Sequence, residues 1–212
     1  MRNAYTAQLG DLNADLCELA TGAEEAMRVA SRALLDADLR AAEEVIARGE
    51  ALAELGTRCE DEAVKVLALQ APVAADLRRV FSAVRISSDL ARMVGLSVHI
   101  AEAARRRFPE PIVPTDLIEP FEEMARLCLE MCARIVAALQ SSELEHVEDL
   151  DRMDDRVDEL KSVVVDRVVA EDGPDVVNAV DVALLGRYFE RYADQIVDVA
   201  SRIVFFVSGR KN

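Results

Sequence analysis

The chain has 212 residues, which is enough for one large domain or two small ones with cores of their own. Its 25 basic and 40 acidic residues give a formal charge of −15, the wrong sign for holding phosphate backbones, so nucleic acid is not expected as a partner. Hydrophobic residues make up 51% and aromatic residues only 4%, with no Trp, which favours a helical core of Leu, Val, Ile and Ala.

The first half of the chain predicts three long helices. Apolar residues recur at alternating steps of three and four from Tyr5 to Ala30, and this pattern breaks near residues 36–38. A second helix is expected over residues 39–69, and Pro72 is placed at the first helical position of a third. That helix ends in three cations, which are stabilised by the negative end of the helix dipole: Arg105, Arg106 and Arg107. They form either a solvated last turn or a docking patch.

The second half repeats this organisation after a proline-rich connection. Residues 108–120 hold four of the six prolines, and helical patterns follow over residues 117–140, 143–170 and 174–207. These patterns predict an all-α fold of two tandem antiparallel three-helix bundles, placed side by side or end to end. We assign residues 1–108 and 117–212 to the bundles and residues 109–116 to the linker.

The two halves are similar in sequence but differ at four aligned positions. The second half has carboxylates there: Asp154, Asp158, Glu190 and Asp194. The first half has small residues, which we expect to continue the helix packing and to bind no metal: Gly49, Ala53, Ala91 and Gly95.

The four carboxylates form two pairs with i,i+4 spacing, so each pair lies on one helix face, and neighbouring helices would bring all four together. Partly buried carboxylates repel each other unless protons, basic side chains or a metal neutralise them. One reading is a salt-bridge network with Lys161, Arg187 and Arg191. The other is an all-oxygen site for Mg, Mn, Fe or Ca.

The four cysteines lie in helical patterns and are expected to be buried reduced thiols: Cys17, Cys59, Cys128 and Cys132. Cys128 and Cys132 are one turn apart, so a shared metal or a redox pair is the alternative. No segment approaches the roughly 20 apolar residues that cross a bilayer, and the N-terminus has no signal-peptide pattern. A cytoplasmic protein is therefore expected.

Three segments resemble one known family: LALQAPVAADLRRV (residues 67–80), the opening MRNAYTAQLGDL, and FERYADQIVDVASRIVFFVSG (residues 189–209). They are similar to PhoU, the regulators of phosphate transport, and above all to the actinobacterial PhoY-type members. The resemblance covers essentially the whole chain. It implies a six-helix, two-bundle fold and a cytoplasmic negative regulator of the phosphate-starvation response, without catalytic activity.

The resemblance also implies partners: the ATPase of the phosphate ABC transporter and a sensor histidine kinase, which the regulator couples while modulating phosphate uptake. Only through these partners would the protein reach the membrane. Candidate docking residues are the cationic end Arg105–Arg107 and a block at the start of the third helix, represented by Pro72, Asp76 and Arg78. Exposed bundle faces further favour a homodimer.

The family's E/D-x-x-x-D motifs are associated with clusters of iron or zinc, which the resemblance places on the four carboxylates of the second repeat only. Magnesium or manganese is also compatible with oxygen ligands, and a metal-free protein is the alternative, because Gln195 stands where the family commonly has a histidine.

Two other functions are the alternatives: a metal-binding scaffold without a phosphate role, and a di-iron enzyme. The enzyme requires two inward-facing Glu-x-x-His motifs. Only Glu143 and His146 have that spacing, at an expected helix start, and His99 has no acidic residue one turn before it.

Overall fold

The structure, a computed structural model, describes residues 2–70, 72–170 and 176–209. These residues form six long helices and two short 3-10 turns, at 115–117 and 144–147, and contain no strand. The helices are α1 Arg2–Leu35, α2 Leu39–Gln70, α3 Ala74–Arg107, α4 Ile118–Ser141, α5 Leu150–Ala170 and α6 Val176–Ser208. The prediction of an all-α fold is confirmed.

Helix boundaries in the first half follow local capping chemistry. The break between α1 and α2 falls where the sequence predicted it, and the Asp38 carboxylate accepts a hydrogen bond from the Ala41 amide at 3.1 Å, as a helix N-cap does. The predicted start of α3 at Pro72 is wrong. Val73 is extended, with φ −125° and ψ 157°, so the helix begins at Ala74.

The predicted start of α5 at Glu143 is also wrong. Residues 144–147 form a 3-10 turn, and α5 begins only at Leu150. Left-handed backbone at Ser142 (φ 60°) and at Asp149 (φ 63°) interrupts the α-helix on both sides of this turn. The expected break at Gly173-Pro174 lies outside the described residues.

The two bundles lie side by side. Within each half the three consecutive helices pack on one another, while α1 also packs against α4, and α3 against α6. Hydrogen bonds cross this junction, since the Tyr192 hydroxyl donates to the Ala23 carbonyl at 2.9 Å and Arg202 donates to the Asp89 carboxylate at 2.7 Å. Helices α2 and α5 flank the four inner helices, and the acidic positions of interest lie on the α5–α6 pair.

A single apolar core runs through both halves, built mainly of Leu, Ile, Val, Ala and Met. The connection contributes to it, because Ile112 and Val113 are buried in that core. Residues 109–116 are therefore a packed connection, and the division into separate domains stays an interpretation.

Three of the four cysteines, Cys59, Cys128 and Cys132, are buried, and all four are free thiols. Burial raises the pKa of the Cys132 thiol to about 12, so it is protonated and unreactive at neutral pH. The expectation of buried, reduced cysteines is confirmed for these three, whereas Cys17 is only partly buried. Among the described helices, none is long and apolar enough to cross a membrane.

Candidate functional site

Helices α5 and α6 bring the four carboxylates of the second repeat together. Glu190 is buried, with 7% of its surface exposed, whereas Asp154 and Asp194 are partly buried and Asp158 is exposed. Their charges act on one another: Asp194 and Asp158 both raise the pKa of Asp154 and of Glu190. We call these four residues the acidic cluster.

The cluster lies along the seam that packs α5 and α6 together. On α5, Leu150, Val157 and Val164 are buried, and Asp154 takes a place in the same stripe. On α6, Glu190 follows the fully buried Phe189. The apolar periodicity that folds the bundle therefore also carries Asp154 and Glu190 out of full contact with water.

Desolvation and mutual repulsion disfavour the charged forms. Burial, followed by the charges of Asp194 and Asp158, raises the pKa of Asp154 to about 7. Burial and the neighbouring Asp194 also raise the pKa of Glu190, against the opposing effect of Arg187 and Lys161. Asp154 therefore ionises less readily than an ordinary aspartate, first because it is partly desolvated and second because its acidic neighbours repel the charge.

The predicted salt-bridge network is formed only in part. Arg187 forms an ion pair with one carboxylate oxygen of Glu190, Oε1. The other oxygen, Oε2, is buried and has no hydrogen-bond partner among the described residues. Lys161 and Arg191 form no ion pair with any described carboxylate, so Arg187 is the one candidate cation that the structure brings into contact with the cluster.

The donor chemistry of the cluster fits a hard cation, since all four side chains offer oxygen and one buried oxygen lacks a partner. The described residues contain no group of three His, Cys, Asp or Glu side chains already placed as metal ligands. Gln195, the neighbour of Asp194, is buried with its own Oε1 unpartnered in the described part of the chain.

The matching positions of the first repeat lie on the α2–α3 pair, and two of them allow close packing. A Cβ atom at the buried Gly49 would stand 2.6 Å from Val98 Cγ2, and one at Gly56 would stand 3.1 Å from the Ala91 Cβ. The expectation that small residues continue the packing holds for Gly49 and Ala91. It is wrong for the other two: Ala53 is exposed, and a Cβ at Gly95 would meet nothing within 4 Å.

The arginines at the end of α3 contact α6. Arg106 forms an ion pair with Asp181 at 3.1 Å, and Arg107 donates to the side-chain oxygen of Asn178 at 3.2 Å, while Arg105 is exposed. Two of the three therefore help to join the bundles, a role that the sequence pattern did not reveal.

The ion pair between the buried Asp89 and the partly buried Arg202, at 2.7 Å, was likewise not predicted from the sequence. Its partners are 113 residues apart, and no motif links them. Only the packing of α3 against α6 brings them together.

The other predicted docking residues lie at the start of α3. Pro72, Asp76 and Arg78 are partly buried, and the Arg78 guanidinium lies close to Gly209 beyond the end of α6. At 1.5 Å per residue, Arg78 and Arg106 are separated by about 42 Å along the helix. The two groups of docking candidates thus belong to two separate surfaces, and their role in binding stays a prediction.

Comparisons with known proteins agree along the whole chain. The family model described as "PhoU domain" matches residues 16–104 and 121–203. The "Phosphate-specific transport system accessory protein PhoU homolog 1" of Mycobacterium leprae is 41% identical over 99% of this chain and 95% of its own length. The corresponding "homolog 2" of Mycobacterium tuberculosis is also 41% identical, over 99% of both chains.

A solved structure shows the same fold. The "phosphate transport system regulatory protein PhoU from Streptococcus pneumoniae" superimposes with a TM-score of 0.87 over 98% of this chain and 99% of that one, at 23% sequence identity. At that identity the likeness concerns the fold alone.

Proposed function

Because the chain belongs to the PhoU family, we propose that it is a cytoplasmic negative regulator of the phosphate-starvation response that couples a phosphate ABC transporter to a sensor histidine kinase. The observation that carries this proposal is the 41% identity, over nearly the full length of both chains, to proteins named phosphate-specific transport system accessory proteins. In this role the protein acts by binding other proteins and thereby modulates phosphate uptake.

The surface at the start of α3 supports docking of a partner. Four large apolar side chains are exposed at and beside the α2–α3 connection: Leu69 (74%), Val73 (75%), Leu77 (46%) and Phe81 (56%). Clustered exposed apolar residues are typical of protein-binding surfaces. We assign this surface, with Pro72, Asp76 and Arg78, to the transporter ATPase or the kinase, and the exposed Arg105 to a second contact at the other end of the helix.

The acidic cluster is proposed to hold one or more cations in the second repeat. Asp154, Asp158, Glu190 and Asp194 would supply the oxygen ligands, and the bound cation would neutralise their charge and join α5 to α6. The resemblance favours iron or zinc, and magnesium or manganese also suits an all-oxygen set. The raised pKa of Asp154 and the unpartnered Glu190 oxygen support the site.

The positions of the two histidines give no support to the di-iron enzyme. His146 belongs to the 3-10 turn before α5 and lies 3.5 Å from the exposed Glu143. His99 lies 3.2 Å from Glu102 at the exposed side of α3, where its ring also meets Tyr188 of α6. Neither pair faces the interior of a bundle, so we assign the protein no catalytic role.

Deletion of the gene tests the regulatory role directly. In phosphate-rich medium we expect the deletion strain to express phosphate-scavenging genes, and a plasmid copy of the wild-type gene to silence them again. Unchanged expression after deletion would contradict this proposal and favour the alternative, a metal-binding scaffold without a phosphate role. Light scattering on the purified protein checks the expected homodimer.

A pull-down assay tests the docking surface. Phe81→Glu places a charge among the exposed apolar residues and is expected to lose capture of the transporter ATPase or of the kinase. Val163→Glu, at a position of similar exposure on α5 (52%), is the matched control and should bind both as the wild type does. Equal capture by the two variants would move the interface elsewhere.

A further inference from the structure

A cavity of about 520 Å³ opens where the two bundles meet, among α1, α3, α4 and α6. Small-molecule sites in proteins usually measure about 300–1,000 Å³ and are mostly apolar with a few polar groups. The apolar part of this lining comes from all four helices: Leu9, Leu12, Leu16, Ile86, Leu139 and Phe206. The cavity therefore has the size of a ligand site, and apolar and polar side chains both line it, at a junction that neither repeat could form alone.

The polar part of the lining includes a cation that pairs with no described carboxylate and a buried hydroxyl without a hydrogen-bond partner among the described residues. Arg79 is exposed, its guanidinium lies 5.1 Å from the centre of the Phe206 ring, and it forms no ion pair with any described carboxylate. Ser82 is buried, with 2% exposed, and its hydroxyl has no hydrogen-bond partner among the described residues. The side-chain amide nitrogen of Asn13 donates a hydrogen bond to the Leu139 carbonyl at 3.4 Å. Arg79 can form charge-assisted hydrogen bonds with an acidic group, and the apolar side chains beside it can contact an apolar body. This arrangement suits an amphipathic anion.

We propose that this cavity binds a small organic molecule with a singly charged acidic group and an apolar body. The acidic group would pair with Arg79, and the apolar body would lie between the leucines of α1 and the Phe206 ring. Asp76, one turn before Arg79 in the lining, disfavours a polyphosphate because it contributes a negative charge of its own. The proposal does not rest on the regulatory function. A bound ligand would contact both bundles and stabilise their side-by-side arrangement.

Anilinonaphthalene sulfonate, a fluorescent singly charged anion with an aromatic body, is a suitable probe for titrating the full-length protein. Gly10→Leu is the blocking variant. Gly10 lines the cavity, a Cβ there meets nothing within 4 Å, and leucine is a better helix former than glycine, so the fold should be retained. Gly95→Leu is the matched control, since it adds the same side chain at another open helical position.

We expect one probe per chain, with a dissociation constant raised about 10-fold by Gly10→Leu and unchanged by Gly95→Leu. Arg79→Gln should weaken binding by a similar factor of about 10, whereas Arg85→Gln, an exposed arginine of the same helix, should not. Octanoate should displace the probe and octylammonium should not. Absence of binding, equal binding to Gly10→Leu and wild type, or equal displacement by the two competitors would overturn the proposal.

Discussion

The α2–α3 pair and the α5–α6 pair occupy corresponding places in the two repeats, yet they differ in chemistry. At Gly49 and Gly56 the first pair packs so closely that a Cβ atom would approach Val98 or Ala91 to 3.1 Å or less. At the positions aligned with Gly49, Ala53, Ala91 and Gly95 the second pair holds four carboxylates, and it buries one of them, Glu190, almost completely. The same helical scaffold can thus serve packing in one repeat and charge accumulation in the other.

The comparison also shows what the charge costs. The pKa of Asp154 is raised to about 7 by burial and by its acidic neighbours, and Arg187 pairs with only one oxygen of Glu190. A carboxylate whose pKa is raised destabilises the folded protein when it ionises. Two such groups, Asp154 and Glu190, within one cluster of four carboxylates are typical of a functional site, and we interpret the second repeat in that way.

Transferring a carboxylate to the first repeat should have the largest effect. In Gly49→Asp, the new side chain would overlap Val98 and bury a charge, so we expect a loss of about 3 kcal/mol or more in the free energy of unfolding, measured by urea denaturation. Gly95→Asp, at the open position, should cost less than about 1 kcal/mol. Similar losses in both variants would show that close packing is not what keeps acidic residues out of α2–α3.

Removing a charge from the second repeat should instead stabilise the folded protein. The folded-state pKa of Asp154, about 7, is above the ordinary value of 3.8, so metal-free wild-type protein loses stability as the pH rises from about 4 to about 7. Asp154→Asn abolishes that loss. After allowance for solvent screening at this partly exposed site, we expect the variant to be about 1–2 kcal/mol more stable than wild type at pH 8 and close to it at pH 4.

The measurement is chemical denaturation at both pH values with a chelator present. Asp166→Asn, at an exposed position of α5, is the control: it keeps Asp154, so its difference in stability from wild type should be the same at both pH values. A variant that is less stable than wild type at pH 8 would contradict the assignment of repulsion to the cluster.

Loss of the ion pair between Arg187 and Glu190 should have a smaller effect. Arg187→Gln leaves the buried Glu190 without its cation, and we expect a loss of about 1 kcal/mol in the free energy of unfolding at pH 8. Arg156→Gln breaks an exposed pair with Glu159 and should cost less than about 0.5 kcal/mol. If the two variants lose equal stability, Glu190 behaves as a surface group.

The sequence predicted the helical framework well because the apolar seams are long and regular. It failed at the start of α3, where Val73 is extended. It also failed at the start of α5, because Ser142 and Asp149 adopt left-handed backbone, which the sequence predicts only where a glycine is present. The i,i+4 spacing was enough to place Asp154 with Asp158 on one face. The choice of Arg187 over Arg191 as the partner of Glu190 depends on side-chain geometry, which spacing does not determine.

The junction between the bundles was the least predictable part of the molecule. Whether the bundles lie side by side or end to end depends on α1 packing against α4 and α3 against α6, contacts between residues far apart in sequence. The Asp89–Arg202 pair and the Phe206-lined cavity exist only because of that packing. No local pattern in either repeat carries this information.

Metal analysis of two double variants tests the central claim, that the two repeats divide packing from cation binding. Three proteins are loaded with iron(II) or zinc, dialysed and assayed for bound metal: wild type, Asp154→Asn/Asp194→Asn, and Glu50→Gln/Glu54→Gln. The last variant is the control, since it removes an exposed i,i+4 acidic pair from α2. We predict that wild type and the α2 variant retain equal amounts and that the α5–α6 variant retains none while remaining folded. Equal retention by all three proteins, or no retention by wild type, would contradict it.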